Sequence, residues 1–230
     1  LAVGDEIRLP PLFSQVMSPT APLPIPKEAL TSIQEAIVTE NDDFLLLNKP
    51  ADIPVHKGSN QPYGVIEILR RLSPKSPFLE LAQRLDRPTS GALLIAKNRP
   101  TLLTLQEGIR AGTYRRFYQL IAHHPFPHKE YRLDAPLRSD HRKNGERHVI
   151  VAPDGRPATT YFKRISNGHG YTHLEAELIT GRTHQIRVHA AHLGHPIVGD
   201  HRYGKSEVGP LLLHASAITF SLKGVTHHYD

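Results

Sequence analysis

The stretch AQRLDRPTSGALLIAKN, Ala82–Asn98, begins in charge and ends in an unbroken apolar run. One carboxylate, Asp86, stands between two guanidiniums, Arg84 and Arg87. Pro88 then fixes a turn and Gly91 lets the backbone enter the run GALLIAK, which reads as a buried strand. A carboxylate at the mouth of such a strand is displayed on a loop end, and its two flanking cations favour the ionised form. The plain reading is a solvated loop with a surface ion pair, worth little. The sharper one is a reacting acid held ready for an anionic partner.

Outward from this point, strand and helix signals alternate unevenly. AIVTENDDFLLLNKP reads as two strands around an Asn-Asp-Asp turn, and PYGVIEILRRLS places Val65, Ile66, Leu69 and Leu72 at helical spacing. TLLTLQEGIRAG is a helix stopped at Gly112, and RRFYQLIAHH alternates as a strand. GERHVIV, ATTYFKRIS and YTHLEAELIT read as three further strands. THQIRVHAAHLG reads as a helix ending at Gly194, with Ile186, Val188, Ala191 and His192 partly on one face. LLLHASAITFSL is the last strand, and the tail KGVTHHYD after it has no assigned role. Strands in runs with a few helices predict an α+β fold with a mixed, largely antiparallel sheet.

Upstream the composition changes. PPLFSQVMSPTAPLPIP, Pro10–Pro26, holds six prolines and reads as an extended linker, assigned to residues 11–32. The globular domain is expected over 33–230. GDEIRLP looks like the end of a domain, and a chain whose first residue is Leu1 and whose only Met is Met17 is expected to have more upstream.

With 230 residues and 39% hydrophobic content the chain can build a substantial core. It has no Cys, which excludes disulfides and thiolate catalysis and suits a reducing, cytoplasmic setting. No apolar run approaches a membrane span, and nothing reads as a signal peptide. The formal net charge of +6 is compatible with a polyanionic partner.

A second cluster lies in TGRTHQIRVHAAHLGHPIVGD, Thr180–Asp200, where Arg182, His184, Arg187 and His189 gather at a helix start. Unpaired N–H groups there attract anions. His189, His192 and His195 have spacing compatible with a metal, yet no carboxylate completes an H-E-x-x-H pattern, so no metal is expected and His192 is read as a packing residue. The commonest reading of such a run is a solvated basic helix. Tyr118 lies on a strand beside Arg115 and Arg116; most strand tyrosines are core, although one can stack on a base.

Taken in order, RLDRPTSG, RRFYQLI and TGRTHQIRVHAAHLGHPIVGDHRYG resemble the RluA family of pseudouridine synthases. LLLNKPADIPVH, Leu45–His56, resembles that family's N-terminal signature, and the likeness runs from about residue 35 to residue 222. Some members carry an S4-type RNA-binding domain ahead of the catalytic one. VGDEIRLP is similar to its last strand, so residues 1–10 are expected to be the tail of such a domain.

The resemblance implies isomerisation of uridine to pseudouridine in RNA, without cofactor. Asp86 matches the catalytic aspartate, Tyr118 the tyrosine that packs on the target base, Arg187 the cation that pairs with the aspartate, and Arg84 the arginine that helps flip the base. Arg84, Arg87, Arg116, Arg182 and His184 are expected to meet RNA. The chain departs from the family at Gln83, often His, and at Arg116, commonly Lys. Whether Asp86 attacks C1′ or takes a proton from C2′ stays open in the sequence. The implied partner is 23S rRNA, with tRNA as the rival substrate; no membrane partner is expected, and a monomer is expected because nothing reads as a large apolar patch or coiled coil. Two other classes compete. One is an RNA-binding module without catalysis. The other is a glycosidic hydrolase, which needs two flanking carboxylates; Glu175 and Glu177 share a strand face but are expected to face solvent.

Overall fold

GALLIAK is apolar on both faces because both faces are covered. In the computed structural model, which describes residues 24–58, 61–76, 78–141, 147–204 and 209–230, this run forms strand β4, Ser90–Ala96. Leu93 and Ile95 enter one apolar cluster with Leu47, Ile66, Ile68 and Leu120. Leu94 and Ala96 enter another with Leu105, Tyr114 and Phe220. Each such Leu or Ile contributes roughly 2 kcal/mol through burial.

Before β4 come α1 (Lys27–Glu35), β1 (Ile37–Glu40), β2 (Phe44–Lys49), α2 (Val65–Leu72) and the short β3 (Glu80–Leu81). After it come α3 (Arg99–Ala111), β5 (Arg115–His123), β6 (Glu130–Asp134), β7 (Leu137–His141), β8 (Arg147–Val151), β9 (Thr159–Gly168) and β10 (Tyr171–Leu178). The chain closes with α4 (Gln185–His192), β11 (Leu213–Leu222) and β12 (Val225–Tyr229). The main sheet runs β1-β2-β4-β11-β5-β10-β9-β6, with β12 on β11 and β3 on β4. β7 and β8 form a separate hairpin. The α+β expectation therefore holds, with one parallel pairing in an otherwise antiparallel sheet: Ser90 against His214 and Gly91 against Ala215. That seam is tight. Gly91 has φ 105°, and a Cβ there would sit 2.2 Å from the Ala215 carbonyl oxygen. Its glycine serves close strand approach as well as the turn.

Three expectations need correction. The linker does not reach residue 32: Lys27–Glu35 is helical, with Ile33 fully buried. Pro26, φ −57°, stands at the N-cap, and the nine residues after it lack proline, so the helix starts where the prolines stop. The expected domain tail, residues 1–10, and linker residues 11–23 lie outside the described residues. The tail KGVTHHYD is structured: Lys223 and Gly224 both have positive φ, 51° and 77°, and turn the chain into β12, with Leu222 opposite Val225. His227 and Tyr229 stack with Phe220. Finally, α4 is no solvated helix. Residues 185–190 are all buried, while His192 is exposed and it is His189 that packs. Among the described residues no helix is long and apolar enough to cross a membrane.

Candidate active site

The parallel seam brings the two charged clusters of the sequence together. Asp86 lies just before β4, on a turn closed by the Thr89 N–H donating to the Asp86 carbonyl at 3.1 Å. The turn is held from beneath by Lys49, at the end of β2. Its fully buried ammonium donates to the carbonyls of Pro50 (2.7 Å), Ile53 (2.9 Å) and Arg87 (3.1 Å), using all three protons. Burial draws its pKa down to about 8, against the pull of Asp52 and Asp86.

Asp86 is half-buried. Its Oδ2 accepts from Arg187 Nη1 at 3.3 Å and lies 3.8 Å from His184 Nε2. Oδ1 has no hydrogen-bond partner among the described residues. Neither Arg84 nor Arg87 pairs with this carboxylate. Both are exposed, and Arg87 donates through Nε to the Asp52 carbonyl at 3.0 Å. The charge partner is Arg187, 101 residues further along, in place of the flanking arginines.

Arg187 is itself clamped. Its Nε and Nη2 donate to Asp200 Oδ2 and Oδ1 at 2.8 and 2.7 Å, a bidentate pair with no exposed area on the Asp200 side chain. The backbone N–H groups of Arg202 (3.0 Å) and Tyr203 (3.1 Å) also donate to Asp200 Oδ1. Burial alone would raise the Asp200 carboxyl; the hydrogen bonds and charge of Arg187 outweigh it and hold the group below the usual carboxylate range. Burial opposes the charged form of Arg187 too, yet Asp200 and Asp86 keep its pKa above normal. The Arg187 guanidinium lies over the Tyr203 ring, 5.2 Å from its centre.

α4 can be polar and buried because its groups are satisfied. Gln185 Oε1 accepts from Thr180 Oγ1 (2.8 Å) and the Arg182 N–H (3.0 Å). Its Nε2 donates to the Thr159 carbonyl and Thr160 Oγ1, both at 2.9 Å. His189 Nε2 donates to the Ala135 carbonyl at 2.9 Å, so Nδ1 receives the Thr160 hydroxyl at 2.9 Å. Both ring nitrogens are therefore engaged in packing.

Tyr118, on β5, is buried and lines the same cleft as Asp86. Burial pushes its hydroxyl up to about 12, with Arg116 opposing, so the phenol is neutral at ordinary pH. Its direct partner on β10 is Ala176, so Glu175 and Glu177 project from the other face of the sheet. Glu177 pairs there with Arg115 at 2.7 and 2.9 Å. The two carboxylates considered for hydrolysis are thus turned away from Asp86.

Arg116 is also buried beside Tyr118. Its Nη2 donates to the Leu178 carbonyl at 3.2 Å and its Nε has no partner. From Asp86 the cleft widens in two directions. A cavity of about 500 Å³ passes Gln83, Arg84 and Arg116. Another, of about 610 Å³, reaches the β7–β8 hairpin and is edged by Arg84, Arg138, Arg156 and Arg182. Of the residues expected at the site, Asp86, Tyr118, Arg187, Arg84, Arg116, Arg182 and His184 therefore converge on one cleft, and Arg87 points elsewhere. Lys49, Asp200 and Tyr203 escaped the sequence reading. Lys49 had a signal, a lone charge at the end of the apolar strand FLLLNK.

The fold and this cleft define a class: the chain belongs to the RNA pseudouridylate synthase family, whose sequence model matches residues 43–192. It is similar to ribosomal large subunit pseudouridine synthase C of Escherichia coli strain K12, 38% identical across 97% of this chain and 73% of that one. It is 40% identical to the protein of the same name from Yersinia pestis, across 96% of this chain and 71% of that one. Two human structures share the fold. RNA pseudouridylate synthase domain containing 4 has a TM-score of 0.70 at 23% identity, over 83% of this chain and 86% of the other. RNA pseudouridylate synthase domain containing 1 has 0.69 at 22%, over 84% and 81%.

Proposed function

We propose that this chain converts selected uridines of large-subunit ribosomal RNA, 23S rRNA, to pseudouridine, with Asp86 as the reacting carboxylate. One observation carries the assignment. Asp86 is anchored through a single oxygen, Oδ2, while Oδ1 is unpartnered in a cleft shared with a neutral tyrosine. Asp200, buried on the same guanidinium, has both oxygens engaged.

The reaction breaks the N1–C1′ bond, turns the uracil, and joins C5 to C1′. C5 gives up a proton and N1 gains one, so composition and oxidation state are unchanged and no redox cofactor is needed. The target base must first leave its stack, at a cost of a few kcal/mol. Arg84, exposed at the rim, is suited to fill the gap; Arg138, Arg156 and Arg182 are suited to phosphates along the wider cavity. Tyr118 offers a neutral ring against the uracil while it rotates. Arg187 holds Asp86 Oδ2 and fixes the orientation of the carboxylate. Arg116, buried without a carboxylate partner, supplies positive charge from below the cleft. The similarity to ribosomal large subunit pseudouridine synthase C favours ribosomal RNA and a cytoplasmic setting.

The test is modification mapping. The chain is incubated with unmodified 23S rRNA and, separately, with unmodified tRNA. A pseudouridine-specific carbodiimide and reverse transcription then locate the products. Stops in 23S rRNA that vanish with Asp86→Asn are expected. Stops confined to tRNA would replace the substrate, and binding without stops in either RNA would overturn the catalytic assignment.

A further inference from the structure

His184 occupies the N-cap position of α4 in a left-handed conformation, φ 54° and ψ 21°, which a residue with a Cβ adopts at an energetic cost. Capping does not offset that cost, since its side chain makes no bond to the helix start. Gln185 instead accepts from the Thr180 hydroxyl and the Arg182 N–H in the loop before the helix. The left-handed backbone turns the imidazole toward two other groups. Nδ1 lies 2.7 Å from the Tyr203 hydroxyl, and Nε2 lies 3.8 Å from Asp86 Oδ2.

The Tyr203 hydroxyl favours one tautomer of that ring. The Val149 backbone N–H, on β8, donates to that oxygen at 3.2 Å. An amide N–H can only donate, so the phenol accepts there and its single proton is available to His184 Nδ1. With Nδ1 accepting, the imidazole proton would sit on Nε2, the nitrogen that faces Asp86. Burial supports this by favouring the neutral ring, against the pull of Asp86. The same tyrosine reaches the other partners of the carboxylate: its ring lies under the Arg187 guanidinium, and its backbone N–H donates to Asp200.

We propose that Tyr203 and His184 are positioning residues: the Tyr203 hydroxyl holds His184 with its Nε2–H toward Asp86, so that Oδ2 is fixed between His184 and Arg187 and Oδ1 is left to react. The inference rests on Asp86 being the reacting group. It adds that His184 faces the carboxylate with a neutral N–H at 3.8 Å and does not act as a cation for RNA phosphates. It also gives the left-handed backbone at residue 184 a purpose.

The experiment has a spectroscopic arm and a kinetic arm. In the first, long-range ¹H–¹⁵N spectra of the labelled chain report the tautomer of each imidazole, and the His184 signals are those missing from His184→Gln. The Nε2–H tautomer is expected in the unaltered chain, with Nδ1–H appearing in Tyr203→Phe. A predominant Nδ1–H form in the unaltered chain would overturn the proposal. In the second arm, single-turnover pseudouridine formation is followed at saturating 23S rRNA. Tyr203→Phe keeps the ring under Arg187 and is expected to be slower by about tenfold or more, with RNA affinity within about twofold. His184→Leu is expected to lose about a hundredfold, and His184→Gln, whose amide can stand in for Nε2–H, to recover most of that loss. Turnover within about twofold of normal in both Tyr203→Phe and His184→Leu would sink the idea. Should Tyr203→Phe fail to fold, the contrast between Gln and Leu at 184 decides alone. Absence of pseudouridine from the unaltered chain would count against the function proposed above, and the tautomer would still decide this proposal.

Discussion

Two aspartates hang on the same guanidinium and live in opposite circumstances. Asp200 has no exposed side-chain area, takes a bidentate pair from Arg187 and two backbone N–H bonds besides. Asp86 meets Arg187 through one longer contact of 3.3 Å and keeps an oxygen without a partner among the described residues. Their loops are secured differently as well. The Asp200 loop is held by its own carboxylate. The Asp86 loop is held by its main chain, through the buried ammonium of Lys49, so its carboxylate is spared structural work. In the function proposed above, one group serves stability and the other is kept for chemistry. Arg187 is rigid toward Asp86 because it is saturated by Asp200.

The largest expected effect separates the two carboxylates directly. Asp86→Asn should lower the rate by about 10²–10⁴-fold. Its melting temperature should stay close to that of the unaltered chain; a large fall would show Asp86 to be structural after all. Asp200→Ala should do the reverse first. It strands a buried guanidinium and should cost about 3–5 kcal/mol of stability, read by urea unfolding. A loss under about 1 kcal/mol would break the comparison.

The same contrast has a pH signature. The folded Asp200 carboxyl titrates below its unfolded value, so its contribution is complete above the unfolded pKa of about 4 and drains away as pH falls through the folded value. Acid unfolding of Asp200→Asn should therefore be shallower than that of the unaltered chain. Next in size, Lys49→Met leaves three carbonyls without their donor and should cost about 1–3 kcal/mol, with a loss of turnover because the Asp86 turn loosens. Full activity in a stable Lys49→Met variant would detach that lysine from the site. Smallest of all, Arg87→Ala should change turnover by no more than about twofold, since its guanidinium is turned onto the Asp52 carbonyl. A tenfold loss in single-turnover assays would restore it as a partner of the reacting acid.

The strands around Asp86 were legible because each follows a local rule. GALLIAK is unbroken because it is covered on both sides, and Gly112 ends α3 in a left-handed cap, φ 75°. α4 misled because its charged and polar residues match solvated-helix composition. Their partners, Asp200, Thr159, Thr160 and Ala135, sit on other elements, and composition carries no trace of a partner across the fold. The flanking arginines misled for the same reason. Neighbours in sequence look like the natural charge partners of Asp86, and only the family resemblance points to Arg187; the turn sends Arg87 to a carbonyl and the seam delivers Arg187. β12 was missed because Lys-Gly is a less familiar hairpin turn than Asn-Gly, although its backbone angles have the same sign.

The single parallel seam has a consequence for how the protein comes into being. The Ser90 hydroxyl and the His214 ring meet across it at 2.8 Å, from positions 124 residues apart. Drawing Asp86 and Arg187 together closes a loop of 101 residues, at an entropic cost on the order of 4 kcal/mol that precedes any favourable contact there. The hairpins on either side can form earlier, from nearby residues. A chain still emerging from its ribosome thus holds the aspartate for a long interval before the arginine is even synthesised. The pairing of Asp86 with Arg187 is therefore expected to form late, and gain of activity during refolding would time that step.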